Sequence, residues 1–179
     1  MRLFFTNPES RYYTRQLQSI LEVSVGSLHR ELKKLEKMGV LKSAREGNLL
    51  FYTVDKNYPL YNELKSLVFK TIGAEGAIKE ALFHIQGVKF AFLYGSFASK
   101  KERATSDIDL FLIGEIDESS LLKEIPLLEK SLAREINYLI ATESEFKKDV
   151  RNKEPFIINL LKEPKVFLIG DEDGFRKLA

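Results

Sequence analysis

At 179 residues, with 44% hydrophobic and 30% charged side chains, the chain can build one large core or two small ones and is too apolar to be disordered. It has no cysteine, which excludes disulfides, thiolate nucleophiles and zinc-thiolate centres. No apolar run reaches the roughly 20 residues that span a bilayer, and the first residues lack signal-peptide organisation, so a cytoplasmic protein with no membrane partner is expected.

The net charge of +2 divides unevenly along the chain. Residues 1–70 carry 12 Lys/Arg against 7 Asp/Glu, and the remainder carries 16 against 19. A basic front and an acidic back suggest two modules with different partners.

In chain order, TRQLQSIL (14–21) predicts a short helix capped by Thr14, with Leu17, Ile20 and Leu21 on one face. After a turn at EVS, apolar residues fall at Val25, Leu28, Leu32 and Leu35. Those spacings of three, four and three predict an amphipathic helix, with Ser24 as its N-cap and Gly39 as its stop. Its outward face carries Ser27, His29, Arg30, Lys33, Lys34 and Lys37. VLKSAREGNLLFYTVD then reads as a hairpin about Glu46-Gly47-Asn48.

Helix, turn, basic helix and hairpin resemble the winged helix-turn-helix family, although only MRLFFTNP is left for a first helix. The resemblance implies that Ser27, His29, Arg30 and Lys33 face DNA, with Lys34, Arg45 and Asn48 flanking it. The second helix would lie in the major groove while the cations neutralise phosphates. It also implies transcription regulation as a role. A homodimer is compatible with the resemblance, but no dimer-specific feature is present. A solvated basic face, or a module for protein contacts, is the plainer account of the same residues.

Residues 59–87 read as mostly helical, interrupted by Gly73 and Gly76, and a domain boundary is placed near Gly73. The two histidines, His29 and His84, lie one in each half and cannot form a histidine metal site. VKFAFL (88–93) predicts a buried strand ended by Tyr94 and the turn Gly95-Ser96. DIDLFLI (107–113) predicts a second strand. A helix over 118–132, a strand in REINYLIA, a helix in ESEFKKDVRN, a helical segment over 156–161 and a last strand in KVFLIG complete the pattern. Strands alternating with helices predict an α/β layer.

Asp107 and Asp109 are the unusual feature. Two residues apart on a strand, they project from one face of an otherwise apolar run, where unpaired charge is costly. Hard carboxylate oxygens in that arrangement suit magnesium or manganese together with a substrate's phosphates. A glycine turn lets backbone N–H groups approach a polyphosphate closely.

Gly95-Ser96, a spacer, then Ser106-Asp-Ile-Asp-Leu resemble the signature of the polymerase-β-type nucleotidyltransferase superfamily over residues 75–179. The resemblance implies that Gly95 and Ser96 bind the phosphates of a nucleoside triphosphate and that Asp107 and Asp109 bind magnesium. It implies transfer of a nucleoside monophosphate to a hydroxyl. Arg103 in the spacer would pair with phosphate. The family's third carboxylate belongs on a later strand. There REINYLI offers Asn137 at the apolar-flanked position and Glu135 two residues earlier, either of which can occupy it. Glu135 would act as a metal ligand or as the base that activates the acceptor hydroxyl.

The sequence thus predicts a two-domain α/β (α+β) chain. Residues 1–72 form the winged helix-turn-helix, and 73–179 form a small mixed sheet flanked by helices. Three functions fit: a magnesium-dependent nucleotidyltransferase with a DNA-binding module, a non-catalytic regulator that senses nucleotide, or an antitoxin-type component acting on a toxin-like partner protein.

Overall fold

The computed structural model describes residues 1–99 and 106–179. The chain divides into two compact units, Met1–Ala74 with Lys130–Ala133, and Glu75–Glu129 with Arg134–Ala179. The architecture is mixed α/β, with sheets flanked by helices.

Unit 1 starts with a short helix α1 (Arg2–Thr6), followed by a two-residue strand β1 (Tyr12–Tyr13) and helices α2 (Thr14–Leu21) and α3 (Val25–Lys37). Strands β2 (Leu41–Glu46) and β3 (Leu49–Val54) form the hairpin, and helix α4 (Tyr61–Thr71) follows. The Ser24 side chain accepts from the Ser27 N–H at 3.3 Å, which caps α3 as its sequence predicts. Thr14 does not cap α2: it is the first helical residue, and Tyr13 holds the N-cap position in extended conformation.

The hairpin loop is Gly47-Asn48, with Gly47 left-handed at φ +58°, a conformation that two-residue loops favour and glycine supplies without strain. β1 adds to the far side of β3, giving the order β1-β3-β2, all antiparallel. The core gathers Leu3, Phe4 and Phe5 of α1, Leu17 of α2, Leu28 and Leu32 of α3, and Tyr52 and Val54 of β3.

Unit 2 runs from helix α5 (Ala74–Phe83) through strand β4 (Val88–Tyr94), a four-residue helix α6 (Gly95–Ala98) and strand β5 (Ile108–Gly114). Helix α7 (Glu118–Leu132), strand β6 (Ile136–Ala141) and helices α8 (Glu143–Arg151) and α9 (Pro155–Lys162) come next. Strand β7 (Val166–Ile169) and helix α10 (Glu172–Leu178) end the chain. Gly76, read from sequence as an interruption, lies within α5; the break falls at Gly73, between α4 and α5. The Gly95-Ser96 turn is a short helical turn, and α10 was not foreseen.

The sheet order is β6-β5-β4-β7, with β5 and β6 parallel and the other pairs antiparallel. Ile108, Leu110 and Leu112 on one face of β5 are fully buried. On the other face, Phe92 and Phe111 stack at 5.5 Å, and Phe175 of α10 meets Phe92 edge-on at 5.0 Å. Phe146 of α8 and Ile157 and Leu160 of α9 complete that cluster. Each buried ring contributes on the order of 2–3 kcal/mol. Both faces are therefore covered over the middle of the sheet, and any polar site is confined to its ends. Among the described residues, no helix is long and apolar enough to cross a membrane.

Candidate functional site

One end of the unit 2 sheet collects the close of β4 and the starts of β5, β6 and β7, because β4 runs against the other three. The register sets Tyr94 opposite Asp109 and Asp109 beside Asn137. Two residues further along the strands, the same face holds Phe92, Phe111 and Leu139. A polar row therefore caps an apolar one. Asp107 immediately precedes β5 and lies on the same face as Asp109, displaced by about 7 Å along the strand direction.

Gly95 faces this row directly. Its φ is +64°, and a Cβ placed on it would lie 2.5 Å from Oδ2 of Asp109. A side chain there would have to push the carboxylate aside, and the left-handed backbone itself favours glycine. The Ser99 hydroxyl donates to the Gly95 carbonyl at 2.9 Å and to that of Ser96 at 3.3 Å, which steadies the turn.

Burial first, then the charges of Asp107 and Glu163, push the Asp109 carboxyl above the ordinary aspartate value. Burial, with Asp109 and Glu163, likewise raises the Tyr94 phenol. The crowding of negative charge identifies an end of the sheet that a cation would relieve. Asp107 and Asp109 supply hard oxygen donors that fit a magnesium or manganese ion shared with phosphate oxygens. Among the described residues, no group of three or more His, Cys, Asp or Glu side chains is arranged to hold a metal by itself. The pair suits an ion brought with a polyphosphate better than a closed protein cage.

Asn137 lies beside the acid pair, its Nδ2 donating to Oδ2 of Asp107 at 3.2 Å. Glu135 is exposed just ahead of β6, and its backbone carbonyl accepts from the Ile108 N–H at 2.9 Å. Ser96 is half-buried in α6. Arg103 lies outside the described residues.

Three participants were missed from sequence. Tyr94 and Glu163 join through the antiparallel pairing of β4 with β5 and β7, which no local pattern reveals. Arg134 is only 6% exposed. Its guanidinium donates to the Ser106 carbonyl and lies over the Phe97 ring at 5.3 Å. It thereby ties α6 to the residue before Asp107. A charged residue at a strand entrance was the available signal.

In unit 1, Ser27, His29, Arg30, Lys33 and Lys34 are all exposed on α3, opposite the buried Leu28 and Leu32. Arg45 and Asn48 are exposed on the hairpin. Arg11 pairs with Glu46 and covers the Phe51 ring at 4.6 Å, so an acid also occupies the hairpin tip.

A mixed sheet that opposes a glycine turn to paired carboxylates at one end defines a protein of the nucleotidyltransferase class. The family described as polymerase beta, nucleotidyltransferase, matches residues 77–173, more than half of the chain, and the chain belongs to that family. No curated protein sequence matches it.

Among solved structures, it is similar to a toxin–antitoxin crystallised with AMP-PNP at 17% identity and a TM-score of 0.41, covering 59% of this chain and 80% of that one. It is also similar to the tri-AMPylated Shewanella oneidensis HEPN toxin in complex with MNT antitoxin (16% identity, TM-score 0.37, 59% of this chain and 76% of that one). Reduced HlyU from Vibrio cholerae N16961 matches at 20% identity and a TM-score of 0.34, over 38% of this chain and 70% of that one. Likenesses this distant leave the function to the chain's own residues.

Proposed function

We propose that unit 2 is a magnesium- or manganese-dependent nucleotidyltransferase that moves a nucleoside monophosphate from a triphosphate to a hydroxyl acceptor. The observation that carries this reading is the close approach of Gly95 to the Asp109 carboxylate.

In this reading, the backbone of Gly95 and Ser96 and the Ser96 hydroxyl hold the terminal phosphates, with Arg103 of the following segment pairing with them. Asp107 and Asp109 would hold the divalent ion, which when bound neutralises phosphate charge and polarises the phosphoryl oxygen. The acceptor oxygen bonds to the α-phosphorus as the bond to the bridging oxygen breaks and pyrophosphate leaves. Glu135 takes the hydroxyl proton on its carboxylate. Asn137 cannot do so, having no titratable atom, and orients Asp107 instead. Arg134 fixes the approach to Asp107 and so acts by positioning.

Unit 1 is assigned as a winged helix-turn-helix that brings the transferase to DNA. The exposed cations Arg30, Lys33 and Lys34 on one face of α3 support the assignment. A nucleotide-sensing transcriptional regulator, alone or as a homodimer, uses the same two units without turnover. An antitoxin-type protein differs only in taking a toxin-like partner as acceptor.

The chain, incubated with magnesium and each of the four triphosphates, should release pyrophosphate, and Asp107→Asn combined with Asp109→Asn should abolish release. Tight magnesium-dependent nucleotide binding with no release by the wild type would select the sensor instead. Radiolabel from the α-phosphate then reports whether nucleic acid, protein or a small molecule takes up the nucleotide.

A further inference from the structure

Next to the acid pair, on the same face of the sheet, is an open hollow of about 390 Å³. Phe111 and Leu139, one step inward from Asp109 and Asn137, form its floor. Phe156 and Ile157 of α9 form one wall, and the carboxyl-bearing Asp149 and Glu154 stand at its rim. The Phe156 ring is 43% exposed, 6.2 Å from Phe111 and 6.1 Å from Tyr94 between centroids. An aromatic ring left this open beside a polar site has a π-face to offer. The aromatic row starts about 7 Å from the Asp109 row, the span of one ribose between a phosphate and its base.

Building on the nucleotidyltransferase reading, we propose that this hollow seats the base of the nucleoside triphosphate and that its two carboxylates select for guanine. The base stacks against Phe156, with Leu139 and Ile157 excluding water from its edge. Among the described residues, no lining side chain is a hydrogen-bond donor. Asp149 and Glu154 are acceptors only. Neither carboxylate has a hydrogen-bond or ion-pair partner among the described residues. Guanine offers a ring N–H and an amino group side by side. Adenine and cytosine each follow one amino group with an acceptor nitrogen, and uracil flanks its single N–H with two carbonyls. Acceptors at the rim therefore favour guanine and disfavour uracil most.

The test is calorimetry of the full chain with magnesium and, in turn, GTP, ATP, CTP, UTP and inorganic tripolyphosphate. GTP should bind roughly tenfold or more tighter than tripolyphosphate, and UTP should bind weakest of the nucleotides. Phe156→Ala should bring GTP near the tripolyphosphate level while tripolyphosphate binding stays intact, which also certifies the fold. Phe156→Leu, which keeps the apolar bulk and loses the ring, should lie between. Asp149→Asn with Glu154→Gln should level the four bases.

Equal affinity for tripolyphosphate and GTP would overturn the base site and leave the phosphate site standing. So would a Phe156→Ala variant with unchanged GTP affinity, including one that instead dissociated a dimer. Failure of tripolyphosphate and every nucleotide to bind the wild type would bring down the transferase reading and this one with it.

Discussion

The cations Arg30, Lys33, Lys34 and Lys37 of α3 in unit 1 stand exposed on the face turned from the core, and the packing beneath them is apolar. In unit 2 the decisive charges are set at the end of a buried strand, two carboxylates on one face with a third close enough to act on Asp109. The first arrangement costs the fold almost nothing and gives a diffuse, salt-sensitive attraction to a polyanion. The second stresses the fold locally and gives a position where a charge of opposite sign is held in a fixed geometry. On the proposed reading, the contrast separates a surface for steering from a site for chemistry, and it can be broken or sharpened residue by residue.

The largest effect is expected at Asp109. Asp109→Asn should reduce pyrophosphate release by about 10³-fold, since the proposed mechanism loses one of the two carboxylates that would hold the ion. The same change should raise the melting temperature by a degree or two. A carboxyl whose folded pKa lies above its unfolded value binds its proton better in the native state, so its contribution falls as pH rises through that interval. Melting curves from pH 3 to pH 7 should show the wild type losing ground to the variant as pH rises. A variant less stable at pH 7 would mean that Asp109 is not crowded.

Arg30→Ala with Lys33→Ala should leave pyrophosphate release and stability unchanged. It should weaken DNA binding by about tenfold and lower the salt slope by about two. No affinity for duplex DNA at low salt would remove that role from unit 1.

A smaller effect is expected at Asp117, which caps α7. Its carboxylate accepts from the Ser119 and Ser120 hydroxyls at 2.7 and 2.6 Å, and these bonds pull its pKa from 3.8 down to about 2. The stabilisation is present above the unfolded value and is lost as pH falls through the folded one. Asp117→Ala should therefore lower the melting temperature by roughly 2–4 °C at pH 7, with the gap narrowing below about pH 4.

The smallest effect belongs to unit 1. Tyr52 is fully buried, and among the described residues its hydroxyl has no hydrogen-bond partner. Tyr52→Phe should be neutral or stabilising by up to about 1 kcal/mol in urea unfolding.

Local features were legible in the sequence. The three-four-three spacing and Ser24 announced α3, and the i, i+2 aspartates announced the strand face. What depends on non-local pairing was not legible. The addition of β1 to β3, the arrival of Glu163 beside β4 and the burial of Arg134 are set by contacts distant in sequence. The third acidic position was half legible. Glu135 and Asn137 share a face by parity, but only the β5–β6 register puts Asn137 level with Asp109, with its amide on Asp107.

That amide has an evolutionary consequence. Asparagine and aspartate codons differ by a single base, so position 137 stands one transition from completing an acidic trio. On the proposed mechanism, exchange at this position in a lineage of such chains would convert between a two-acid centre that draws its ion in with the nucleotide and one that retains metal unaided, leaving the scaffold untouched.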